Sequence, residues 1–175
     1  VFHRVRVDEF VGREWLTARL DAFLNNPARR SGVFLLVGEA GVGKTSFLAH
    51  LVRERGYLYL FAEQAPGEAN LGLALRSLAA QIATRYRIET CAGRDALSPD
   101  NRWLDRLLRQ AAGKLGADEK IVIVCDGLDE AGAVPGGNVL GLPSVLPDGV
   151  YLVLSQRPSP VRLSFRFAPH MVRLE

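Results

Sequence analysis

Nine residues, GEAGVGKTS from Gly38 to Ser46, combine glycines at 38, 41 and 43 with an ammonium at Lys44 and hydroxyls at Thr45 and Ser46. Glycine is costly in conformational entropy, so such a cluster implies unusual dihedrals or a close approach of backbone to a ligand. The spacing is G-x-x-x-x-G-K-[ST], in which the peptide N–H groups of Gly41, Val42, Gly43, Lys44 and Thr45 can face one concavity and bind phosphate oxygens. A helix starting there adds the positive end of its dipole. Lys44 then brings charge to the β- and γ-phosphates and Thr45 a hydroxyl to Mg²⁺, while Ser46 is a candidate α-phosphate donor. The chemistry expected is polyphosphate binding through backbone.

Two further stretches supply the groups such a site needs. In IVIVCDGLDEA, an acid closing an apolar run can hold the metal, usually through water, and Asp126 has that place. Asp129 and Glu130 follow closely, and carboxylates so crowded repel unless a cation relieves them. Either could orient or deprotonate an attacking water, with Glu130 preferred. In LVLSQRP, Arg157 stands just beyond a strand and could tell triphosphate from diphosphate through its guanidinium. Gln64, His50 and His170 join no constellation. Cys125 reads as a buried small hydrophobe, neither it nor Cys91 has a partner at metal or redox spacing, and both tryptophans read as core or helix-contact residues.

The elements that must position these groups are legible in the periodicity. Residues 33–37, 57–62, 121–125, 151–155 and 171–175 are short apolar runs that read as strands. Helical spacing places Leu16, Leu20, Phe23 and Leu24 on one face after a turn at FVGRE, and Phe47, Leu48 and Leu51 inward on a helix from Thr45 to about Glu54. Residues 70–86 repeat Leu71, Leu75, Leu78 and Ile82. A further helix is expected after a Ser98 cap and Pro99, carrying Trp103, Leu107, Leu108 and Ala111. Doubly apolar strands separated mostly by helices predict a parallel sheet with helices on both sides, its ligands at the carboxyl ends of the strands.

Length and composition fit that reading. A chain of 175 residues is long enough for one domain, and 48% hydrophobic with 23% charged residues can bury a core without disulfides. No apolar stretch reaches bilayer length, so no membrane partner is expected. The net charge of +3 comes from dispersed residues, which argues against a nucleic-acid surface. Two unremarkable thiols and no signal-peptide pattern point to the cytoplasm. The single domain, 1–175, reads as a segment of a longer multidomain protein.

In that order, FVGRE, GEAGVGKTS, IVIVCDGLDEA and LPDGVYLVLSQRP resemble the nucleotide-binding domain of STAND ATPases, the signal-transduction relatives of AAA+ proteins. DGLDE resembles the NACHT branch, and FVGRE is shared with the apoptotic-ATPase branch. The resemblance covers nearly the whole chain and implies a three-layer α/β/α P-loop NTPase fold with a parallel five-stranded sheet in the order 5-1-4-3-2. It implies that Val11, Gly12 and Arg13 lie against an adenine, that Gly38, Gly41, Val42, Gly43, Lys44, Thr45 and Ser46 bind ATP or ADP with Mg²⁺ on Thr45 and Asp126, and that Arg157 is the first sensor. Ser155-Gln156 replaces the usual threonine-serine before that arginine, and the chain ends before the helical and winged-helix domains that close the family's site.

The function expected is an ATP/ADP switch with slow hydrolysis, carried by Lys44, Asp126, Asp129, Glu130 and Arg157, coupled to self-association of the full-length protein. The alternatives are a DNA-associated AAA+ ATPase of the origin-recognition type, a phosphotransferase, and a non-catalytic nucleotide-binding scaffold. The apolar, glycine-rich stretch GAVPGGNVLGLPSVLP argues against the phosphotransferase, which needs an acceptor site and lid.

Overall fold

The computed structural model describes residues 12–61, 68–89, 101–131, 138–158 and 163–175. Along the chain it forms α1 (Glu14–Leu24), β1 (Gly32–Gly38), α2 (Lys44–Arg55), β2 (Leu58–Phe61), α3 (Glu68–Tyr86), α4 (Asn101–Ala112), β3 (Ile121–Asp126), β4 (Val150–Gln156) and β5 (His170–Leu174). Every residue of β1, β3 and β4 is buried, as unbroken apolar runs require. All pairings are parallel and the order is β2-β3-β4-β1-β5, the arrangement that the resemblance implies. The Ser98 and Pro99 helix start lies outside the described residues.

Side chains on β1 alternate between two cores. Val33, Leu35 and Val37 meet Leu78 and Ile82 of α3 and Leu104, Leu107 and Leu108 of α4. Phe34 and Leu36 meet Leu16 and Leu20 of α1 and Phe47, Leu48 and Leu51 of α2. The helices thus form two outer layers around the sheet. Arg55 clamps α2 to α1 by a forked ion pair with Asp21 (Nη2 to Oδ2, 2.9 Å), which raises the pKa of its guanidinium. Gln81 of α3 caps the edge of β2, accepting from the Tyr59 N–H and donating to the Tyr59 carbonyl, both at 3.0 Å. That leaves Tyr59 unable to template a further strand.

One expectation changes. Trp15 is 51% exposed rather than core, because α1 turns its Leu16 and Leu20 face inward and position 15 falls outside that stripe. Trp103 does pack against the core. Among the described residues, the β3–β4 crossover holds only a short 3₁₀ turn, Val139–Gly141, and the β4–β5 crossover holds no helix. Irregular backbone can cover a core only if its polar groups are paired. Asn138, 1% exposed, does this between the two crossovers: its amide donates to Leu142 O (3.2 Å) and Ser164 O (2.8 Å) and accepts from Ser164 N (2.6 Å).

Candidate functional site

The loop leaving β1 turns where sequence patterning places its glycines. Gly41 and Gly43 have φ of +84° and +82°, left-handed values that a side chain disfavours, and Gly43 caps the start of α2. Gly38 has a different reason to lack a side chain. A Cβ there would meet Leu174 O of β5 at 2.8 Å and Val42 Cγ2 at 3.0 Å. It serves the closeness of β1 and β5 and does not line the cleft described next. Lys44 reaches back across the loop, donating to Gly38 O at 2.6 Å and Glu39 O at 2.8 Å.

Opposite the loop lies the acidic turn after β3, held by the end of β4. Asp126 is 7% exposed and accepts a hydrogen bond from the hydroxyl of Ser155, itself fully buried. The same hydroxyl accepts from Gly127 N at 3.1 Å, and Leu128 N donates to Ser155 O at 3.0 Å. Just beyond the end of β4, the Arg157 N–H donates to Asp129 Oδ1 at 2.9 Å. Its side chain pairs with Asp129 Oδ2 (Nε, 3.3 Å) and Glu130 Oε1 (Nη2, 2.6 Å). The strand order produces this: β3 and β4 are neighbours, in register through Cys125 and Leu154, so Ser155 meets Asp126.

Between the two loops is a cleft of about 290 Å³ lined by Ala40, Gly41, Gly43 to Ser46, Asp126, Gly127, Asp129, Glu130, Ser155 and Arg157. All five residues expected to act in chemistry line it, as do Thr45 and Ser46. Val42 and Gly12 do not; Gly12 is exposed, with φ +95°, and Val11 lies outside the described residues. Arg13 is tied to the loop by its side chain, whose Nη2 donates to Val42 O, and its Nη1 is buried without a hydrogen-bond partner among the described residues. Ser155 is the residue that motif spacing missed. Its position two before Arg157 is the only trace in the sequence, and it becomes informative once β4 is known to lie beside β3.

A larger cavity of about 480 Å³ opens at the amino ends of the strands, between Asn26–Val33 and Ser144–Leu146 with Phe165–Phe167. The phosphate loop and the acids after β3 line the smaller cleft instead. The cleft offers oxygens, a hydroxyl at Thr45 and a carboxylate at Asp126, and oxygen donors are the kind a hard cation such as Mg²⁺ would take. Among the described residues no group of three or more His, Cys, Asp or Glu could cage a metal.

Other groups singled out by type lie elsewhere. Cys125 is buried on β3, and burial first, then the charge of Asp126, pushes its thiol up to about 12. His50 is half-buried on α2, and His170 stacks on Phe34 with ring centroids 5.4 Å apart. Gln64 and Cys91 fall outside the described residues. No described helix is long and apolar enough to cross a membrane.

The profile of the AAA ATPase domain family matches residues 9–152. No curated protein matches the chain. Among solved structures it is similar to the Walker-type ATPase PABY2304 of Pyrococcus abyssi, with a TM-score of 0.63 and 17% identity over 97% of this chain and 55% of that one. It is also similar to Cdc6p from Pyrobaculum aerophilum, with a TM-score of 0.54 and 16% identity over 95% of this chain and 47% of that one. The chain thus spans about half the length of these solved structures.

Proposed function

Because the chain belongs to the AAA ATPase domain family, we propose that it is the Mg-dependent ATP/ADP-binding switch domain of a STAND signal-transduction ATPase. The observation that carries the reading is the single cleft in which Lys44, Thr45, Asp126, Asp129, Glu130 and Arg157 meet. The loop amides from Gly41 to Thr45, with Lys44, hold the β- and γ-phosphates. Ser46 takes the α-phosphate. Lys44 exchanges its two carbonyl partners for phosphate oxygens. Thr45 and Asp126 hold Mg²⁺, which, when bound, neutralises charge on the phosphates. Asp129 and Glu130 provide the group that orients the attacking water. Val11, Gly12 and Arg13 lie against the adenine, and Arg13 ties that wall to the phosphate loop.

In this reading the output is a conformation. ADP holds the full-length protein closed, ATP favours an open, self-associating state, and turnover is slow. A nucleotide can drive such a change only by binding the two states with different affinity, and Arg157 is the group placed to sense the γ-phosphate. The STAND assignment rests on the FVGRE and DGLDE resemblance.

The similarity to Cdc6p supports a second reading, a DNA-associated AAA+ ATPase of the origin-recognition type. Salt-sensitive binding of duplex DNA by the full-length protein would favour it over the signalling switch.

Denaturing the purified protein and identifying the released nucleotide by chromatography tests the base, with ADP expected. In calorimetry with Mg-ATP, Lys44→Ala is expected to weaken binding by at least about ten-fold, since a charge-assisted hydrogen bond is worth about 1.5–3 kcal/mol. Unchanged affinity would remove the phosphate-loop assignment.

A further inference from the structure

Asp129 and Glu130 are adjacent, acidic and both paired with Arg157, yet their surroundings differ. The Asp129 side chain is 10% exposed and accepts from the Arg157 backbone N–H and from its Nε. A bond to the backbone N–H does not depend on where the guanidinium points. Glu130 is 38% exposed, and among the described residues its carboxylate pairs with the Arg157 Nη2 at 2.6 Å. That bond is made by the tip of a long side chain that is itself half exposed. The first carboxylate is tied to backbone, and among the described residues the second is held by one side-chain contact.

A γ-phosphate arriving in the cleft competes for the same guanidinium. If Arg157 kept Glu130 while taking the phosphate, two anions would be crowded against each other, which costs energy at short range. Exchange avoids that cost. The tetrahedral, doubly charged γ-phosphate is the stronger partner for a forked donor. A diphosphate presents no such group, so the Arg157–Glu130 pair can persist beside it.

We propose that Arg157 acts as an anion exchanger: it holds Glu130 until a γ-phosphate displaces that carboxylate, while Asp129 is the positioning residue on which the arginine pivots. This rests on the reading of the cleft as an ATP site and assigns its two carboxylates different work. Glu130 becomes free to accept the proton of the attacking water only when triphosphate is present. The water oxygen then bonds to the γ-phosphorus as the bond to the bridging oxygen breaks, and ADP departs with that electron pair. Sensing the triphosphate and arming the base become one event.

The test is a double-mutant cycle read by calorimetry, with Mg-ATPγS and Mg-ADP as probes. Glu130→Gln removes the competing charge and is expected to tighten ATPγS binding by about two- to five-fold, the strength of a partly exposed ion pair. ADP affinity should not change. In an Arg157→Ala background the same Glu130→Gln change should have no effect on ATPγS, because there is nothing to exchange. Equal tightening with and without Arg157 would mean simple repulsion between Glu130 and phosphate, and would overturn the proposal. So would equal changes for both nucleotides, or no change for either.

Asp129→Asn can still accept from the Arg157 N–H but loses charge. It is expected to lower the ATPγS-to-ADP affinity ratio while the protein unfolds at an unchanged urea midpoint. An unaltered ratio would refute the pivot. Failure of both nucleotides to bind the parent protein would instead sink the ATP-site reading itself, and the exchanger with it.

Discussion

Ser155→Ala isolates the most buried polar contact of the site. The substitution removes one oxygen from a position with no solvent exposure. Two hydrogen bonds go with it: the one donated to the Asp126 carboxylate and the one accepted from Gly127 N at 3.1 Å. A bond to a charged group is worth about 1.5–3 kcal/mol and a neutral one about 0.5–1.5 kcal/mol. The Leu128 N to Ser155 O bond is made by backbone and survives. Gly127 is half-buried, so water can partly replace its lost partner. The net loss expected is about 2–3 kcal/mol. For a chain of this size that lowers Tm by roughly 4–12 °C.

Urea denaturation measures the first effect, and a second readout separates positioning from mere stability. With its carboxylate unpinned, Asp126 should hold Mg²⁺ less well, raising the Mg²⁺ concentration needed for half-maximal nucleotide binding by about ten-fold. Combining the change with Asp126→Asn should give less than the sum of the two losses, because the bond they share can be lost only once. A loss below about 0.5 kcal/mol with an unchanged Mg²⁺ requirement would refute the reasoning, since the buried hydroxyl would then contribute neither to stability nor to the metal.

Two further outcomes are expected. Gly38→Ala forces a Cβ to 2.8 Å from the backbone oxygen of Leu174, which cannot rotate away. The overpacking should cost about 1–3 kcal/mol and speed hydrogen exchange at β5 before other strands; unchanged exchange there would show that the sheet relaxes freely. His170 should make stability depend on pH. Burial first, then Arg19 and Arg29, lower its pKa from the ordinary 6.5. The unfolded chain therefore binds a proton more readily, so the contribution is fully present above about pH 6.5 and is lost as pH falls below it. Urea midpoints measured between about pH 5 and 8 should show a shallower slope for His170→Phe than for the parent; equal slopes would exclude the effect.

Much of the architecture was readable because strands and phosphate loops are local structures. Apolar runs bounded by turn residues marked β1 to β5, and helical spacing identified the buried faces of α1 and α2 down to Leu16, Leu20, Phe47 and Leu51. Trp15 misled because residue type says less about burial than position around a helix does. In the β4–β5 crossover, Leu163 and Phe165 pack against the core without a period that would mark them in the sequence.

What the amino-acid order determined by itself is the phosphate loop and the acids that follow β3. Positive φ at Gly41 and Gly43, and a lysine and threonine at the first turn of α2, are set by neighbours in the chain. Strand pairing decided the rest. It put the Ser155 hydroxyl on Asp126, set Arg157 between Asp129 and Glu130, and gave Gly38 its reason in Leu174. These partners lie from 27 to more than a hundred residues apart, and only a parallel sheet with β4 between β1 and β3 brings them together. Local dihedrals shape a loop that can bind phosphate, but the electrostatics of a site depend on distances in space, which the chain acquires only by folding.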